Sequence, residues 1–280
     1  MLISELINHG SKTLQKNKIL THLLYSELFL SNLLNTSREK ILVLNDKKVS
    51  KNIIYSFNLL IKKRLKREPV AYIFKEKEFW SKKYLVDRNT LIPRPETEML
   101  VERIVKYFKN KEIFILDVGT GSGCILLSLL DEIKKSRGIG IDISKKAIDI
   151  AIKNSINFKQ ITKSRFYNRP LEQIFGYKFD LIVSNPPYVC THQIKNLSDD
   201  VKKYEPRIAL DGGNDGLDVI KKVIYKSRTI LKKKGMLALE IGHGQYKKIS
   251  QILKLQGFKD RYLIKDNQSN IRCVLTTLEY

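Results

Sequence analysis

The feature that most constrains the fold is an alternation of short apolar runs with helical segments, which begins near residue 93. The apolar runs lack polar alternation, which predicts strands buried on both faces. Helical segments between such strands are typical of a parallel sheet with helices on both sides. The fold class is therefore α/β, over residues 93–280. The predicted strands are 113–118, 138–141, 179–183 and 236–241, and strand-like runs follow at 262–265 and 271–278. The predicted helices are 124–130, 144–152 and 217–231, and a helical stripe of apolar residues precedes them within 99–108.

Residues 1–70 have a different pattern, with helical periodicity and few Gly or Pro residues, and predict a small all-helical domain. Ser37 and Ser50 each precede a helical segment and are predicted N-caps. Pro69 is expected to stop helical structure. The aromatic and branched runs within residues 71–92 then predict a β-hairpin linker. One predicted helical face of the first domain contains Leu20, Leu23, Leu24, Leu28 and Leu34.

The composition, with 42% hydrophobic residues and 14 Gly and 7 Pro in 280, is that of a globular protein. Its apolar runs are far shorter than the roughly 18 residues of a membrane span. Residues 1–5 lack the basic flank of a secretory signal. Three widely spaced cysteines and four scattered histidines predict neither a disulfide framework nor a metal site. We therefore expect a cytoplasmic protein that does not associate with membranes.

The charge is strongly basic, with 52 Lys and Arg against 29 Asp and Glu, a net charge of +23. Such a balance is compatible with an acidic partner such as nucleic acid. The favoured explanation is a coding sequence biased toward A and T, because Lys, Ile and Asn are frequent throughout the chain. Nucleic-acid binding is therefore an open alternative that the charge alone does not favour.

A glycine-rich turn, Asp-Val-Gly-Thr-Gly-Ser-Gly at residues 117–123, lies where a predicted strand meets a helix. Glycines there allow a tight turn and close approach of a ligand to the backbone, which predicts a nucleotide-like cofactor. A phosphate-binding P-loop would need Gly-Lys-Ser/Thr, but Gly123 is followed by Cys124 and Ile125. The dinucleotide pattern would place its third glycine at position 124, one residue later than it occurs here. ATP hydrolysis and a nicotinamide cofactor are thus both disfavoured.

Asp142 ends the next predicted strand, at the spacing of an acid that accepts hydrogen bonds from ribose hydroxyls. Its alternative role is to open the turn before Ser144. A glycine loop followed by an acid after the second strand favours an adenosine-containing ligand.

The tetrapeptide Asn-Pro-Pro-Tyr at residues 185–188 follows a buried strand and lies at the same sheet edge. Its prolines remove two N–H donors, so the Asn185 side-chain oxygen and the Pro186 carbonyl can both accept from one planar NH2 group. Tyr188 can pack against that group. Holding both hydrogens would orient a weakly nucleophilic amide or exocyclic amine toward an electrophile. A simple proline turn is the alternative.

These motifs together resemble the peptide chain release factor glutamine methyltransferases, whose activity requires S-adenosyl-L-methionine. The resemblance covers essentially the whole chain and implies a class I Rossmann-like S-adenosylmethionine-dependent methyltransferase domain. It further rests on the segments Arg67-Glu68-Pro69-Val70-Ala71-Tyr72-Ile73, Leu91-Ile92-Pro93-Arg94-Pro95-Glu96-Thr97-Glu98, Tyr204-Glu205-Pro206-Arg207, the run from Gly212 to Asp218, and Leu239-Glu240-Ile241-Gly242.

The resemblance implies methylation of the glutamine side-chain amide in the Gly-Gly-Gln tripeptide of class 1 release factors, by direct transfer. It implies substrate recognition by the helical domain. The cofactor would be bound by Gly119, Thr120, Gly121, Ser122, Gly123, Asp142 and Asn185. The substrate would be bound by Asn185, Pro186, Pro187 and Tyr188, of which Asn185, Pro186 and Tyr188 are the expected catalytic residues.

The sequence departs from the family at two places. Lys75 and Ser81 stand where members usually have hairpin glycines, and residues 168–170 read Asn-Arg-Pro where an acid is usual.

Two rival functions stay open. An adenine-specific nucleic-acid methyltransferase would share the tetrapeptide but should carry a recognition domain with aromatic stacking. A basic binding module would use the cofactor only structurally, which the complete set of motifs disfavours.

Overall fold

In the computed structural model, which describes residues 1–279, the chain separates into two units, Met1–Phe74 and a second that begins at Lys75. The first unit is helical, and its core is built on Leu6, Leu14, Phe29, Leu30 and Phe57. Its helices are α1 (Ile3–Lys16), α2 (His22–Leu33), α3 (Arg38–Val43), α4 (Lys51–Leu65) and α5 (Val70–Phe74). None of the helices in the described residues is long and apolar enough to cross a membrane.

The two predicted caps in this unit are confirmed. The Ser37 hydroxyl accepts from the Lys40 backbone N–H at 3.3 Å, and the Ser50 hydroxyl accepts from Ile53 at 3.4 Å. The predicted leucine face is wrong, because α2 begins only at His22 and buries Phe29 and Leu30 instead. Leu20 precedes that helix and is 96% exposed.

The prediction that helical structure stops at Pro69 is wrong, because another helix begins directly after this residue. Pro69 precedes α5, and its carbonyl accepts hydrogen bonds from the N–H groups of Tyr72 and Ile73. A proline fits the start of a helix because the N–H it lacks would have no partner there. Residues 70–74 are therefore helical, although their branched and aromatic side chains suggested extended chain.

The second unit contains two sheets and the remaining helices. The helices are α6 (Pro95–Phe108), α7 (Cys124–Glu132), α8 (Lys145–Asn157), α9 (Asp199–Tyr204), α10 (Asp218–Ile230) and α11 (Tyr246–Leu255). The strands are β1 (Glu76–Phe79), β2 (Lys82–Leu85), β3 (Phe114–Val118), β4 (Arg137–Asp142), β5 (Ser164–Asn168), β6 (Phe179–Ser184), β7 (Leu231–Glu240), β8 (Phe258–Lys265) and β9 (Ile271–Leu278). The α/β prediction is confirmed.

The main sheet has seven strands in the order β5-β4-β3-β6-β7-β9-β8. The strands from β5 to β7 are parallel, and β9 pairs antiparallel with both β7 and β8. Successive residues of β3 face opposite layers: Ile115 packs with α6, α7 and α8, and Leu116 packs with α10 and α11. This double burial explains why the central strands are continuous apolar runs.

Strand β5 and helices α9 and α11 do not appear among the predicted elements. Only Ser164 and Phe166 of β5 are buried, because β5 is an edge strand and is covered less completely than the strands inside the sheet. An edge strand needs no continuous apolar run, so its sequence carries a weak signal.

Strands β1 and β2 form the predicted hairpin, which packs through Phe79 and Tyr84 on the core shared by α6, α7 and α8. Its two-residue turn is Trp80–Ser81, with φ of +51° and +56°. This left-handed geometry suits the right-handed twist of a hairpin and normally selects Gly or Asn. Lys75 has φ of +59°, so both departures from the expected glycines keep the backbone that glycine would adopt.

Candidate active site

The carboxyl ends of the central strands meet at one sheet edge, where the order reverses between β3 and β6. Crevices at such a reversal are the usual ligand sites of open parallel sheets. A cavity of about 730 Å³ opens at this edge. Its lining includes Gly119 and Gly121 after β3, Asp142 and Ile143 at the end of β4, and Asn185 and Pro187 after β6.

The loop after β3 presents bare backbone to this cavity. Gly119 and Gly121 have φ of +70° and +55°, and a Cβ at Gly119 would meet no atom within 4 Å. The loop is fixed from behind, because the N–H groups of Gly119 and Thr120 both donate to the Ile141 carbonyl, at 2.9 and 3.0 Å. A ligand can therefore approach the peptide groups closely without displacing a side chain.

Three residues of the predicted cofactor loop lie behind the cavity lining rather than in it. Thr120 and Ser122 are buried, and the Thr120 hydroxyl donates to Asp117 Oδ2 at 2.6 Å. Gly123 is the N-cap of α7, in the left-handed conformation with φ of +80°. Its missing Cβ would lie 3.3 Å from the Ala151 Cβ, so Gly123 also permits close packing of the loop on α8.

Asp142 connects the glycine loop to the next helix. One carboxylate oxygen, Oδ2, accepts from the Gly121 N–H at 3.0 Å, and Oδ1 accepts from the Ser144 N–H at 2.9 Å. Each oxygen has a second lone pair, so the carboxylate can still accept hydrogen bonds from a diol in the cavity. Asp142 therefore does open the turn before Ser144, and it also lines the cavity. Burial raises the pKa of its carboxyl.

Asp117 is buried beneath the same loop. Burial raises the pKa of its carboxyl from 3.8 to about 7, although the Thr120 hydrogen bond acts in the opposite direction. The structure thus places two acids near the glycine loop, one accessible from the cavity and one enclosed.

The Asn-Pro-Pro-Tyr segment is held by contacts from later parts of the chain. The Tyr188 carbonyl accepts from Gln245 Nε2 at 2.9 Å, and the N–H of Gly212 donates to the Val189 carbonyl at 2.8 Å. A Cβ at Gly216 would lie 2.4 Å from the Tyr188 carbonyl oxygen, so that close approach requires glycine. Pro187 and Asn185 line the cavity, whereas Pro186 is buried behind it.

Asn185 is the first residue of a chain of buried hydrogen bonds. Its Nδ2 donates to Thr97 Oγ1 at 3.2 Å, and Thr97 Oγ1 donates to Glu240 Oε2 at 2.6 Å. Tyr188 Oη donates to the other carboxylate oxygen, Glu240 Oε1, at 3.3 Å. Arg272 completes the cluster, with Nη2 3.5 Å from Tyr188 Oη. Because the Asn185 amide nitrogen faces Thr97, its oxygen is the atom left to accept a hydrogen bond.

The titrating groups of this cluster have shifted pKa values. Glu240 is fully buried, and burial raises the pKa of its carboxyl, while the Thr97 hydrogen bond, the Arg272 charge and the Tyr188 hydrogen bond lower it. Burial also raises the pKa of Tyr188 to about 12, helped by the neighbouring Glu240 charge. Tyr188 therefore stays a neutral hydrogen-bond donor at physiological pH.

Several site residues were not among the sequence-predicted ones. Thr97 and Gln245 are the clearest examples, because each bonds to the tetrapeptide from a distant part of the sequence. Thr97 lies inside the segment that carried the family resemblance, which is the only signal that could have singled it out. Arg169 and Pro170, from the segment that departs from the family, also line the cavity, and the Arg169 N–H donates to the Asp142 carbonyl at 3.1 Å.

The cavity fits S-adenosyl-L-methionine on the evidence of its own residues. Its volume lies in the range of cofactor sites. It combines bare glycine backbone, a carboxylate with free lone pairs for a ribose, and the exposed apolar side chain of Ile143 beside Asp142. Gly119, Gly121 and Asp142 contribute these groups to the cavity lining and could hold such a cofactor.

Comparison with known proteins agrees with this geometry. Residues 5–74 match the family model described as PrmC N-terminal domain, and residues 95–202 match the Methyltransferase small domain. A solved ribosomal protein L11 methylase from Lactobacillus delbrueckii subsp. bulgaricus has a similar fold, with a TM-score of 0.51 and 19% identity over 68% of this chain and 81% of that chain. The fold and site therefore define an S-adenosyl-L-methionine-dependent methyltransferase.

Curated relatives narrow the assignment. The release factor glutamine methyltransferase of Caulobacter vibrioides is 37% identical over 82% of this chain and 80% of its own length. The protein of the same name from Fusobacterium nucleatum is 35% identical over 97% of this chain and 77% of its length. The chain belongs to the release factor glutamine methyltransferase family.

Proposed function

We propose that the protein transfers a methyl group to the side-chain amide nitrogen of the glutamine in the Gly-Gly-Gln tripeptide of class 1 release factors. The observation that carries this proposal is the orientation of Asn185, whose Nδ2 is committed to Thr97 and whose Oδ1 is left at the cavity. A free amide oxygen beside two prolines is an acceptor site, and a primary amide has two hydrogens to donate. The family membership of the chain supports the same substrate.

In this proposal the Asn185 side-chain oxygen and the backbone carbonyl of Pro186 accept the two hydrogens of the substrate amide, and Pro187 and Tyr188 hold its plane. Of these four residues, Asn185 and Pro187 line the cavity, and Pro186 and Tyr188 lie next to that lining. When bound, S-adenosyl-L-methionine supplies an electrophilic methyl group on a sulfonium centre. Asn185 aims the amide nitrogen at that methyl group, and its oxygen interacts more strongly with the amide hydrogens as the nitrogen becomes positively charged. As the new nitrogen–carbon bond forms, the carbon–sulfur bond of the sulfonium would break and a neutral thioether would leave. The methylated nitrogen then loses its proton to water, so the reaction needs no dedicated base and no covalent enzyme intermediate.

The decisive experiment offers labelled S-adenosyl-L-methionine to purified release factor, to a version with Gln→Ala in its Gly-Gly-Gln, and to total RNA and DNA in parallel. We expect label only in the intact release factor. Label in RNA or DNA would mean that the site at Asn185 accepts the NH2 group of a nucleic-acid base and not that of a glutamine. That result would favour the adenine-specific alternative. Label in none of the four would contradict both functions.

We further propose that the helical unit binds the release factor away from the tripeptide. Its surface has a cavity of about 380 Å³ lined by residues of α1 and α4, including Tyr55 and Leu59, which are exposed. Exposed apolar side chains around a groove are typical of a protein-binding surface. The double variant Tyr55→Ala with Leu59→Ala should raise KM for the release factor while kcat is kept. Leu255→Ala, at a still more exposed apolar site in the second unit, is the control. An unchanged KM in the double variant would contradict the assignment.

A further inference from the structure

We propose that Thr97 and Glu240 are positioning residues that set which way round the Asn185 amide is held, so that its oxygen and not its NH2 group faces the substrate. This inference deepens the proposed function and rests on it for its kinetic consequence. It concerns two residues that touch neither substrate nor cofactor in the proposed mechanism. Thr97 is 2% exposed and Glu240 is fully buried.

The direction of the hydrogen bonds follows from the chemistry of the three groups. A carboxylate only accepts, so at 2.6 Å from Glu240 Oε2 the single hydroxyl hydrogen of Thr97 must point at Glu240. Thr97 Oγ1 can then only accept on its other side, where Asn185 lies 3.2 Å away. Asn185 must present Nδ2 there, because an amide oxygen at that position would place two acceptors together without a hydrogen between them.

Three contacts of Glu240 stabilise the ionised form that this direction requires, and they oppose the burial and the nearby Glu96 charge that raise the pKa of its carboxyl. Tyr188 donates its hydroxyl hydrogen to the second carboxylate oxygen, so both oxygens receive a hydrogen bond. The guanidinium of Arg272 lies next to Tyr188, which places a positive charge close to the buried carboxylate. A buried charge is retained only where such partners satisfy it.

The Thr97 hydroxyl is not needed for the helix in which it lies. Thr97 is in the first turn of α6, whose N-cap is Arg94 and whose first residue is Pro95. The hydroxyl leaves the helix and reaches the end of β7, 143 residues away in the sequence. A valine has nearly the same shape and could fill the same buried space. Packing therefore does not explain why a hydroxyl group is present at this position.

The two orientations of an asparagine amide are almost identical in shape and differ only in hydrogen bonding. Without a fixed partner the amide can rotate, and the rotated form places an NH2 group against the NH2 group of the substrate. Binding of the cofactor on the glycine side should be unaffected. We call the two hydrogen bonds that join Asn185, Thr97 and Glu240 the relay. Loss of the relay should lower kcat about tenfold or more, by analogy with the loss of a preorganised hydrogen-bonding group.

The test compares Thr97→Val, which removes the hydroxyl at constant shape, with Thr97→Ser, which keeps it. We expect kcat to fall at least tenfold in Thr97→Val, with KM for S-adenosyl-L-methionine close to wild type. The melting temperature should fall by only a few degrees, because the buried Glu240 carboxylate loses one hydrogen bond and keeps the one from Tyr188. Thr97→Ser should recover most of the rate. An unchanged kcat in Thr97→Val would overturn the proposal, and so would an equal loss in both variants, because that result would indicate packing and not hydrogen bonding.

A second measurement is independent of the substrate. In asparagine-labelled protein the Asn185 side-chain NH2 signals are assigned by their absence in Asn185→Asp. Their exchange with water should be slow in wild type and in Thr97→Ser, and fast in Thr97→Val. Equal exchange in all three proteins would overturn the relay. If the wild type methylates no release factor, the proposed function fails, and this NMR comparison alone decides whether the relay exists.

Discussion

Leu85 on the hairpin and Asn154 on α8 form a reciprocal pair of hydrogen bonds. The Leu85 N–H donates to Asn154 Oδ1 at 2.8 Å, and Asn154 Nδ2 donates to the Leu85 carbonyl at 3.0 Å. The same Nδ2 also donates to the Ser122 carbonyl at 2.8 Å. One buried amide therefore holds the edge of the hairpin, helix α8 and the predicted cofactor loop together.

Replacing this amide by an apolar side chain should affect both stability and cofactor binding. Asn154→Leu removes the partner of the half-buried Leu85 N–H and carbonyl and of the buried Ser122 carbonyl, which should cost about 3 kcal/mol of the free energy of unfolding. Affinity for S-adenosyl-L-methionine should fall as well, because Ser122 lies within the loop. Urea unfolding and calorimetric titration measure the two effects. Asn157→Leu, exposed on the same helix, should change neither, and a fully stable Asn154→Leu would contradict the role.

Asn185→Ala should separate cofactor binding from methyl transfer. The truncation removes the acceptor oxygen at the cavity and leaves the glycine loop and Asp142 in place. We expect kcat to fall about 10²–10³-fold while the dissociation constant of S-adenosyl-L-methionine stays measurable. Asn89→Ala, at another asparagine in the cavity lining, should lose far less activity. Near-normal turnover of Asn185→Ala would be incompatible with its proposed role.

The rate of methyl transfer should depend on the protonation of Glu240. Burial raises the pKa of this carboxyl above its ordinary value of 4.5. As the pH falls through that raised pKa, the carboxyl gains a proton and can donate to Thr97, which reverses the hydrogen bonds that orient Asn185. We expect kcat to decrease on the acid side with a midpoint above 4.5, and Glu240→Gln to lack that acid limb. A wild-type profile without this limb would count against the prediction.

The hairpin turn offers a stabilising substitution. Ser81 is exposed and has φ of +56°, a conformation that costs a non-glycine residue about 1 kcal/mol or more. Ser81→Gly should therefore raise the free energy of unfolding by about 0.5–1 kcal/mol, after allowance for the greater entropy of glycine in the unfolded chain. Denaturant unfolding measures the gain. Ser81→Ala keeps the strained backbone and should bring no such gain, so equal effects of the two substitutions would exclude backbone strain as the cause.

The parts of the fold that sequence predicts well are those in which one local pattern has one physical cause. Strands β3 and β6 are buried on both faces, so they appear as continuous apolar runs. The glycine loop and the tetrapeptide follow these strands directly, and parallel strands bring their carboxyl ends to the same edge. The sequence therefore predicts that Gly119, Asp142 and Asn185 lie close together, and all three line the cavity.

The parts that sequence does not predict depend on partners far away in the chain. Thr97 resembles an ordinary residue in the first turn of a helix until Glu240 and Asn185 are seen beside it. Asn154 lies within a helix, and no local sequence pattern predicts its hydrogen bonds to Leu85 and Ser122. Helix α5 was missed for a local reason, because Pro69 can end one helix and begin another.

The position of β9 in the sheet determines the order in which the site can be completed during synthesis. β9 is the last strand of the described residues, yet it pairs with β7 beside Glu240 and carries Arg272. A ribosome-bound chain that has emerged only through β7 already contains the glycine loop, Asp142, Asn185, Thr97 and Glu240. It lacks the cation next to the buried carboxylate. The charge of Arg272 becomes available to Glu240 only when β9 has paired with β7, so the buried carboxylate is compensated by a strand that is synthesised after the rest of this cluster.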